Sequence, residues 1–311
     1  MEVYKDVILI GGGAAGLSAA QYAARANLDV LLIEEMASGG QALIIDDLEN
    51  YPGIKDPVKG YVFAETMEAQ AKKFGAEVTT TSVNSVSKNG DVFSVETGKG
   101  TFTAYTVIVA TGAKHRHLGV TGEKELTGKG VSYCATCDGP FFKDRRILVV
   151  GGGDAACDEA MFLSKLSDKV TLIHRRDRFR AQKALAERVL NNPNIKVQLN
   201  TVLEEIQGEN RVERVILSRT DTGETVTEEM DAVFIFIGSD PQNQLLPEVE
   251  KDESGYVVVN EEMETSIPGL YAVGDLRNTP FRQLVVAAAD GAIAAHCASQ
   301  YIDEIRGNAY V

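Results

Sequence analysis

The sequence predicts an α/β chain of two doubly wound domains, the second inserted into the first, and three observations predict it. An apolar strand runs into a glycine-rich turn twice, at Val7-Ile8-Leu9-Ile10 before Gly11-Gly12-Gly13-Ala14-Ala15-Gly16 and at Ile147-Leu148-Val149-Val150 before Gly151-Gly152-Gly153-Asp154-Ala155-Ala156. Each turn opens a helical stretch. A second apolar strand follows in each copy, Val30-Leu31-Leu32-Ile33 or Val170-Thr171-Leu172-Ile173. Near-continuous apolar strands belong to parallel sheets covered on both faces, so each copy reads as a βαβ unit of a Rossmann-like nucleotide-binding domain.

In chain order, the first copy has a helix from Ala14 to about Ala26 and a strand ending at Glu34. Residues 76–104 alternate polar and apolar, with Asn89-Gly90 as a hairpin signal, and predict antiparallel strands. Val107-Ile108-Val109-Ala110 is a further apolar strand that ends at Thr111-Gly112. The second copy has a helix to about Leu166, an antiparallel piece over 195–228, and the strand Val233-Phe234-Ile235-Phe236-Ile237 before Gly238. After 248, strand and turn signals return, followed by Gly274-Asp275 and an alanine-rich final helix. Polar segments containing glycine or proline near 113–120 and 239–247 mark the domain crossings. The expected domains are therefore 1–115 with 243–311, and 116–242 between them.

A length of 311 residues suits about two domains, and 44% apolar residues suffice for two cores. The net charge of −14 opposes attraction to nucleic acid or an anionic membrane. No run approaches the roughly 18 apolar residues of a spanning helix. The stretch Met1 to Asp6 lacks the basic segment of a signal peptide, so a cytoplasmic protein is expected.

Glycine fingerprints let backbone N–H groups approach a pyrophosphate at a helix N-terminus. Gly11, Gly13, Ala14, Ala15 and Gly16 form the first such site, and Gly151, Gly153, Asp154, Ala155 and Ala156 the second. The residue ending the second strand discriminates between their ligands. Glu34 can accept hydrogen bonds from ribose hydroxyls but would repel a 2′-phosphate, so the first site suits FAD or NAD. His174 falls at the same offset from Gly151, and Arg175, Arg176 and Arg180 follow it. Guanidinium groups pair bidentately with phosphate, so the second site suits NADPH. A solvated basic helix face is the plainer reading of that charge run, and its position after the second strand argues against it.

Cys134-Ala135-Thr136-Cys137, with Asp138 behind it, lies between the two fingerprints. At this spacing a pair closes a small disulfide or supplies half of a zinc site. Zinc needs further ligands, and Cys157 and Cys297 sit singly in helical sequence, so redox use is favoured and no metal is expected. Both single cysteines read as small buried apolar residues. Thiol–disulfide exchange needs a proton donor for the departing thiolate, and Asp138 can serve as that acid or base. Asp138 also suits a turn cap, and the two roles are compatible.

Cys134-Ala-Thr-Cys-Asp-Gly139, Gly151-Gly-Gly-Asp154 and His174-Arg-Arg-Asp-Arg-Phe-Arg-Ala181 resemble the low-molecular-weight thioredoxin reductases of bacteria, over nearly the whole chain. The resemblance implies FAD at the first fingerprint and NADPH at the second. It extends the FAD residues to Glu35, Gly39-Gly40-Gln41, the segment Glu49-Asn50-Tyr51-Pro52-Gly53, Ala110-Thr111-Gly112, Gly274-Asp275 and Arg282-Gln283-Leu284. It places Asp275 on the flavin ribityl chain and Gln41, Asn50, Arg282 and Gln283 near the flavin. It implies that Cys137 faces the flavin, that Cys134 attacks the disulfide of a thioredoxin or thioredoxin-like protein, and that the chain is a homodimer. Val120-Thr121-Gly122-Glu123 departs from a frequent proline; it lies in a linker and puts nothing catalytic in doubt.

The disulfide and the NADPH site belong to the inserted domain and the flavin to the other, so the inserted domain is expected to rotate between half-reactions. Two alternatives stay open. One is an FAD/NADPH reductase of another thioredoxin-like or peroxiredoxin-type protein, against which stands a first strand almost at Met1, with no sign of an extra N-terminal redox domain. The other is a nucleotide-binding redox sensor without turnover.

Overall fold

The computed structural model describes residues 3–45, 48, 50–246 and 248–308. Its contacts divide the chain into two compact units, Met1–Lys114 with Asp240–Val311, and His115–Ser239. The second crossing falls ahead of the boundary expected after 242. Gln242 explains the difference, because its N–H donates to Gly112 O (2.9 Å) and its carbonyl accepts the Thr111 hydroxyl (2.6 Å), both in the first unit.

The first unit opens with β1 (Val3–Ile10), α1 (Ala14–Arg25) and β2 (Val30–Glu34). β1 and β2 pair in parallel with Ile10 opposite Ile33, so Gly11 and Glu34 emerge side by side at the carboxyl ends of the strands. After α2 (Gly60–Lys73) come β3 (Glu77–Thr80), β4 (Val83–Asn89), β5 (Val92–Thr97) and β6 (Gly100–Val109). β4 and β5 form the expected hairpin, turning at Gly90 with φ 60°. The sequence suggested a separate antiparallel piece and a later apolar strand, but β6 is one strand serving both partners. It runs antiparallel to β5 and parallel to β1. Its start alternates polar and apolar residues with partly exposed Thr101, Phe102 and Tyr105, whereas Val107, Ile108 and Val109 are buried on both faces and read as a continuous apolar run.

β7 (Ala113–His115) leads into the second unit, which contains β8 (Val131–Ser132), α3 (Ala135–Asp138), β9 (Ile147–Gly151), α4 (Asp154–Leu163) and β10 (Val170–Ile173). α5 (Lys183–Leu190), β11 (Ile195–Gln198), β12 (Thr201–Gln207), β13 (Arg214–Arg219), β14 (Thr225–Glu229), β15 (Ala232–Phe236) and β16 (Ser239–Pro241) follow. The main sheet is parallel, in the order β11-β10-β9-β15-β8, and β12-β13-β14 form an antiparallel sheet. β11 thus leaves the antiparallel piece expected over 195–228, because Ile195 is buried opposite Val170 in the parallel ladder. α4 stops at Leu163, short of Leu166, where Asn194 Nδ2 takes up the Ser164 carbonyl at 3.0 Å.

From Asp240 the chain is back in the first unit, where β17 (Leu270–Ala272) runs parallel to β6 and α6 (Leu284–Ile305) follows. Leu9 and Ile108 pack on the α1 and α6 side of the sheet, while Ile8 and Val107 pack on its other face. The alanine-rich sequences allow α1 and α6 to approach closely. A Cβ on Gly291 would sit 2.1 Å from Ala15 O, so only glycine fits there. Among the described residues, no helix is long and apolar enough to cross a membrane.

Candidate functional site

In the first unit, Gly11 adopts φ 105°, and a Cβ there would meet Ala110 O at 2.5 Å. This brings Ala110 against the turn. Gly13 precedes α1 with no side-chain cap, and a Cβ on it would meet nothing within 4 Å. Uncapped helix N–H groups, at the N-terminus before Ala14, Ala15 and Gly16, therefore face open space of the kind a pyrophosphate fills. The Glu34 carboxylate accepts the N–H of Gly12 at 2.6 Å and of Met36 at 3.1 Å. A carboxylate has about four acceptor positions, so two remain for ribose hydroxyls. Glu35 is exposed beside it.

Around this turn, the Gly39 N–H donates to Gly12 O (2.7 Å), and Gly40 adopts φ 54° with Gly13 as its nearest neighbour. Gln41 Nε2 donates to Ala113 O (2.7 Å), just beyond Thr111 and Gly112. Asn50 Nδ2 donates to Gln283 Oε1 (3.2 Å), which joins two residues far apart in sequence at the start of α6 beside Leu284. Glu49 lies outside the described residues. Asp275, in a single 3-10 turn Gly274–Leu276, has no hydrogen-bond partner among the described residues, and burial pushes its carboxyl up. Arg282 lies over the Tyr256 ring at 4.1 Å with its Nε buried and unpaired. These unsatisfied groups and the open glycine turn fit a polar, phosphorylated cofactor such as FAD.

In the second unit, β9 and β10 pair with Val150 opposite Ile173, which brings Gly151 beside His174. Gly153 repeats the arrangement of Gly13, preceding α4 without a side-chain cap and with open space at its Cβ position. His174 is buried against Gly152, its Nε2 has no partner, and burial followed by the charges of Arg180, Arg175 and Arg176 lowers its pKa. The loop after it is tied to the fingerprint: Arg180 N–H donates to Gly152 O (2.7 Å) and Gln182 N–H to Asp154 Oδ1 (2.7 Å). Asp154 therefore shapes this loop from the first turn of α4, ahead of Ala155 and Ala156. Arg175, Arg176 and Arg180 are exposed, and no carboxylate pairs with them among the described residues. Three unpaired guanidinium groups beside an open glycine turn fit a nucleotide that carries an additional phosphate, as NADPH does.

Cys134 and Cys137 form a disulfide with a Cα–Cα distance of 5.3 Å. Cys134 sits at the start of α3 with its Sγ accepting the Cys137 N–H at 3.2 Å, and Asp138 ends the helix. Ser132 Oγ lies 2.5 Å from Asp138 Oδ2 and accepts the Cys134 N–H at 3.1 Å. On the other side, the Tyr133 hydroxyl donates to Glu123 Oε1 (2.7 Å), which also accepts the Leu118 N–H (3.0 Å), while Glu123 Oε2 accepts the Gly119 N–H (2.7 Å). Glu123 is buried. Burial pushes its carboxyl up, but the bonds from Tyr133 and the two N–H groups outweigh it and hold it below the usual range. Glu123, in the segment that departs from the frequent proline, thus braces the residue before Cys134. Cys157 is fully buried, with its thiol pushed up to about 11, whereas Cys297 is half-buried, unlike the expectation.

Sequence reading missed Ser132, Glu123, and the pair Arg277–Asp290. Asp290 is buried in α6, accepts both Arg277 Nε and Nη2 at 2.7 Å, and accepts the Gly274 N–H at 3.1 Å. It fixes the turn that carries Asp275. Its signal was a single acid in an otherwise apolar helix start.

The chain matches the model of the pyridine nucleotide-disulphide oxidoreductase family over residues 5–291. It is 56% identical over 306 residues to a thioredoxin reductase of Treponema pallidum (strain Nichols), covering 98% of this chain and 100% of that protein. A thioredoxin reductase of Peptoclostridium litorale is 45% identical, with 98% and 99% covered. Among solved structures, the thioredoxin reductase from Streptococcus pyogenes MGAS5005 superposes with a TM-score of 0.93 at 42% identity, covering 97% of this chain and 99% of that one.

Proposed function

The chain belongs to the pyridine nucleotide-disulphide oxidoreductase family, and from that premise we propose that it reduces the disulfide of thioredoxin with electrons from NADPH, relayed through FAD and the Cys134–Cys137 pair. The carrying observation is the Cys134–Cys137 disulfide, with Asp138 behind it, in the same unit as the turn flanked by unpaired arginines. FAD, when bound, supplies the two-electron relay between NADPH and the disulfide.

In this reading the first unit binds FAD. The open turn at Gly11, Gly13 and Gly16 takes the pyrophosphate, Glu34 the ribose hydroxyls, and Asp275 the ribityl chain, with Gln41, Asn50, Arg282 and Gln283 near the flavin. The second unit binds NADPH through Gly151 and Gly153, with Arg175, Arg176 and Arg180 on the 2′-phosphate. Cys137 exchanges electrons on the flavin side, Cys134 attacks the partner's disulfide, and Asp138 holds and delivers the proton. Because the disulfide and the NADPH turn share one unit, the reading includes rotation of that unit about the crossings near 113–120 and 239–247. An engineered disulfide tying the units together should permit one half-reaction and stop turnover; unimpaired turnover rules the rotation out. The reading also includes a cytoplasmic homodimer built through the FAD-binding unit, for which light scattering should give twice the 33.5 kDa chain mass.

NADPH oxidation coupled to reduction of candidate thioredoxins tests the assignment, with Cys134→Ser and Cys137→Ser as controls. The protein should purify yellow, bleach anaerobically with NADPH, and recolour on addition of oxidised thioredoxin. Bleaching without recolouring would overturn the thioredoxin assignment and leave both nucleotide sites standing.

A further inference from the structure

We propose that Ser132 is a positioning residue for the thiol exchange, a hydroxyl that follows the protonation state of Asp138. The proposal rests on the reading of Asp138 as the proton-handling acid. Ser132 is 5% exposed, on the strand immediately before the redox turn. Its Oγ accepts the Cys134 N–H at 3.1 Å, which fixes the oxygen in place. The single hydroxyl proton then has two acceptors, Asp138 Oδ2 at 2.5 Å and Cys134 O at 3.3 Å. It can donate to only one at a time, and an ionised carboxylate is the stronger acceptor.

The exchange uses this choice. The Cys134 thiolate attacks the partner's disulfide, forming a mixed disulfide as the partner's S–S bond breaks. The departing sulfur takes the Asp138 proton and leaves as a thiol. Asp138 is now a carboxylate, and the Ser132 O–H turns from the Cys134 carbonyl to Asp138 Oδ2. Asp138 then takes the proton of the Cys137 thiol, and the Cys137 thiolate attacks Cys134 Sγ. This closes the intramolecular disulfide and releases the partner's second sulfur, which takes a proton from water. Ser132 thus stabilises the carboxylate present between the two attacks, and returns to the carbonyl once Asp138 is neutral again. The same oxygen ties that carboxylate to the backbone of the attacking cysteine.

The test compares Ser132→Ala, Ser132→Thr, Asp138→Asn and the Ser132→Ala/Asp138→Asn double variant in the full flavoprotein. Loss of a hydrogen bond to a charged group predicts that Ser132→Ala lowers kcat for thioredoxin reduction roughly tenfold. KM for thioredoxin and the rate of anaerobic bleaching by NADPH should stay within about twofold. Ser132→Thr, which keeps the O–H, should recover most of the rate, and the double variant should be no slower than Asp138→Asn. Full activity of Ser132→Ala beside a slow Asp138→Asn overturns the Ser132 role alone. Full activity of Asp138→Asn overturns the acid reading and the Ser132 role with it. Should Ser132→Ala fail to bind flavin, Ser132→Thr decides: a folded, yellow threonine variant slowed tenfold overturns the proposal, and one near wild-type rate supports it.

Discussion

Replacing Arg175 and Arg176 together with alanine tests the assignment of the second nucleotide site. Both side chains are exposed and have no carboxylate partner among the described residues, so their removal breaks no ion pair and should leave the fold intact. Two unit charges about 4 Å apart attract by about 1 kcal/mol in water and about 4 kcal/mol at the lower effective permittivity near a protein surface. Exposed guanidinium groups lie toward the first value, so each should contribute about 1–1.5 kcal/mol to holding a 2′-phosphate. The pair together predicts a roughly 30- to 150-fold fall in kcat/KM for NADPH. That phosphate does not react, so the loss should appear in KM with kcat nearly unchanged. NADH lacks the phosphate, and its kcat/KM should move by no more than about threefold. The wild-type preference should also shrink with salt, since the screening length falls from about 10 Å at 0.1 M to about 3 Å at 1 M. Steady-state kinetics with both nucleotides at two ionic strengths provides the measurement. Equal losses with NADPH and NADH would remove the 2′-phosphate from these arginines.

Three further outcomes are expected. Gly13→Ala meets no atom within 4 Å and Gly13 has ordinary φ, so the apoprotein should melt within about 2 °C of wild type while FAD affinity falls at least about tenfold by fluorescence titration; retained affinity removes the pyrophosphate from that turn. Asp290→Ala leaves Arg277 without its partner in a nearly buried pair and should cost about 3–5 kcal/mol in urea denaturation, whereas the apolar double variant Arg277→Met/Asp290→Leu should cost less. A loss below about 1 kcal/mol for Asp290→Ala would contradict the anchoring role. Burial, then the neighbouring arginines, lowers the His174 pKa from 6.5, so the folded state favours the neutral ring. The unfolded chain therefore binds more protons below about pH 6.5, and this contribution to stability is complete above that pH and lost as pH falls. His174→Gln should flatten the decline in melting temperature between about pH 6.5 and pH 5, and an unchanged decline would assign it to other groups.

Much of this was legible in the chain because it depends on local chemistry. A glycine turn between an apolar strand and a helix has few other uses, and the two copies differ at Glu34 and His174, the positions on which the proposed ligand assignment rests. The CxxC spacing likewise favoured a redox pair, because residues three apart in one helical turn are neighbours, and the structure closes it as a disulfide. Less legible was β6, whose alternating start runs antiparallel to β5 and whose apolar end runs parallel to β1, so one strand reads as two. β11 was misread for a related reason, since a short strand carries no mark of the direction of its neighbour.

The sequence alone specified the two glycine turns before helices, the charge of the residues behind them and the close cysteine pair, because each is set by residues close together in the chain. Which distant groups brace these segments follows from packing alone. Buried Asp290 accepts the Gly274 N–H and two Arg277 nitrogens, and buried Glu123 holds Tyr133 beside the disulfide, while at the surface Asn50 reaches Gln283. Buried polar groups must find partners wherever the fold brings one within about 3 Å, and that meeting is a property of the packed chain rather than of any segment of it.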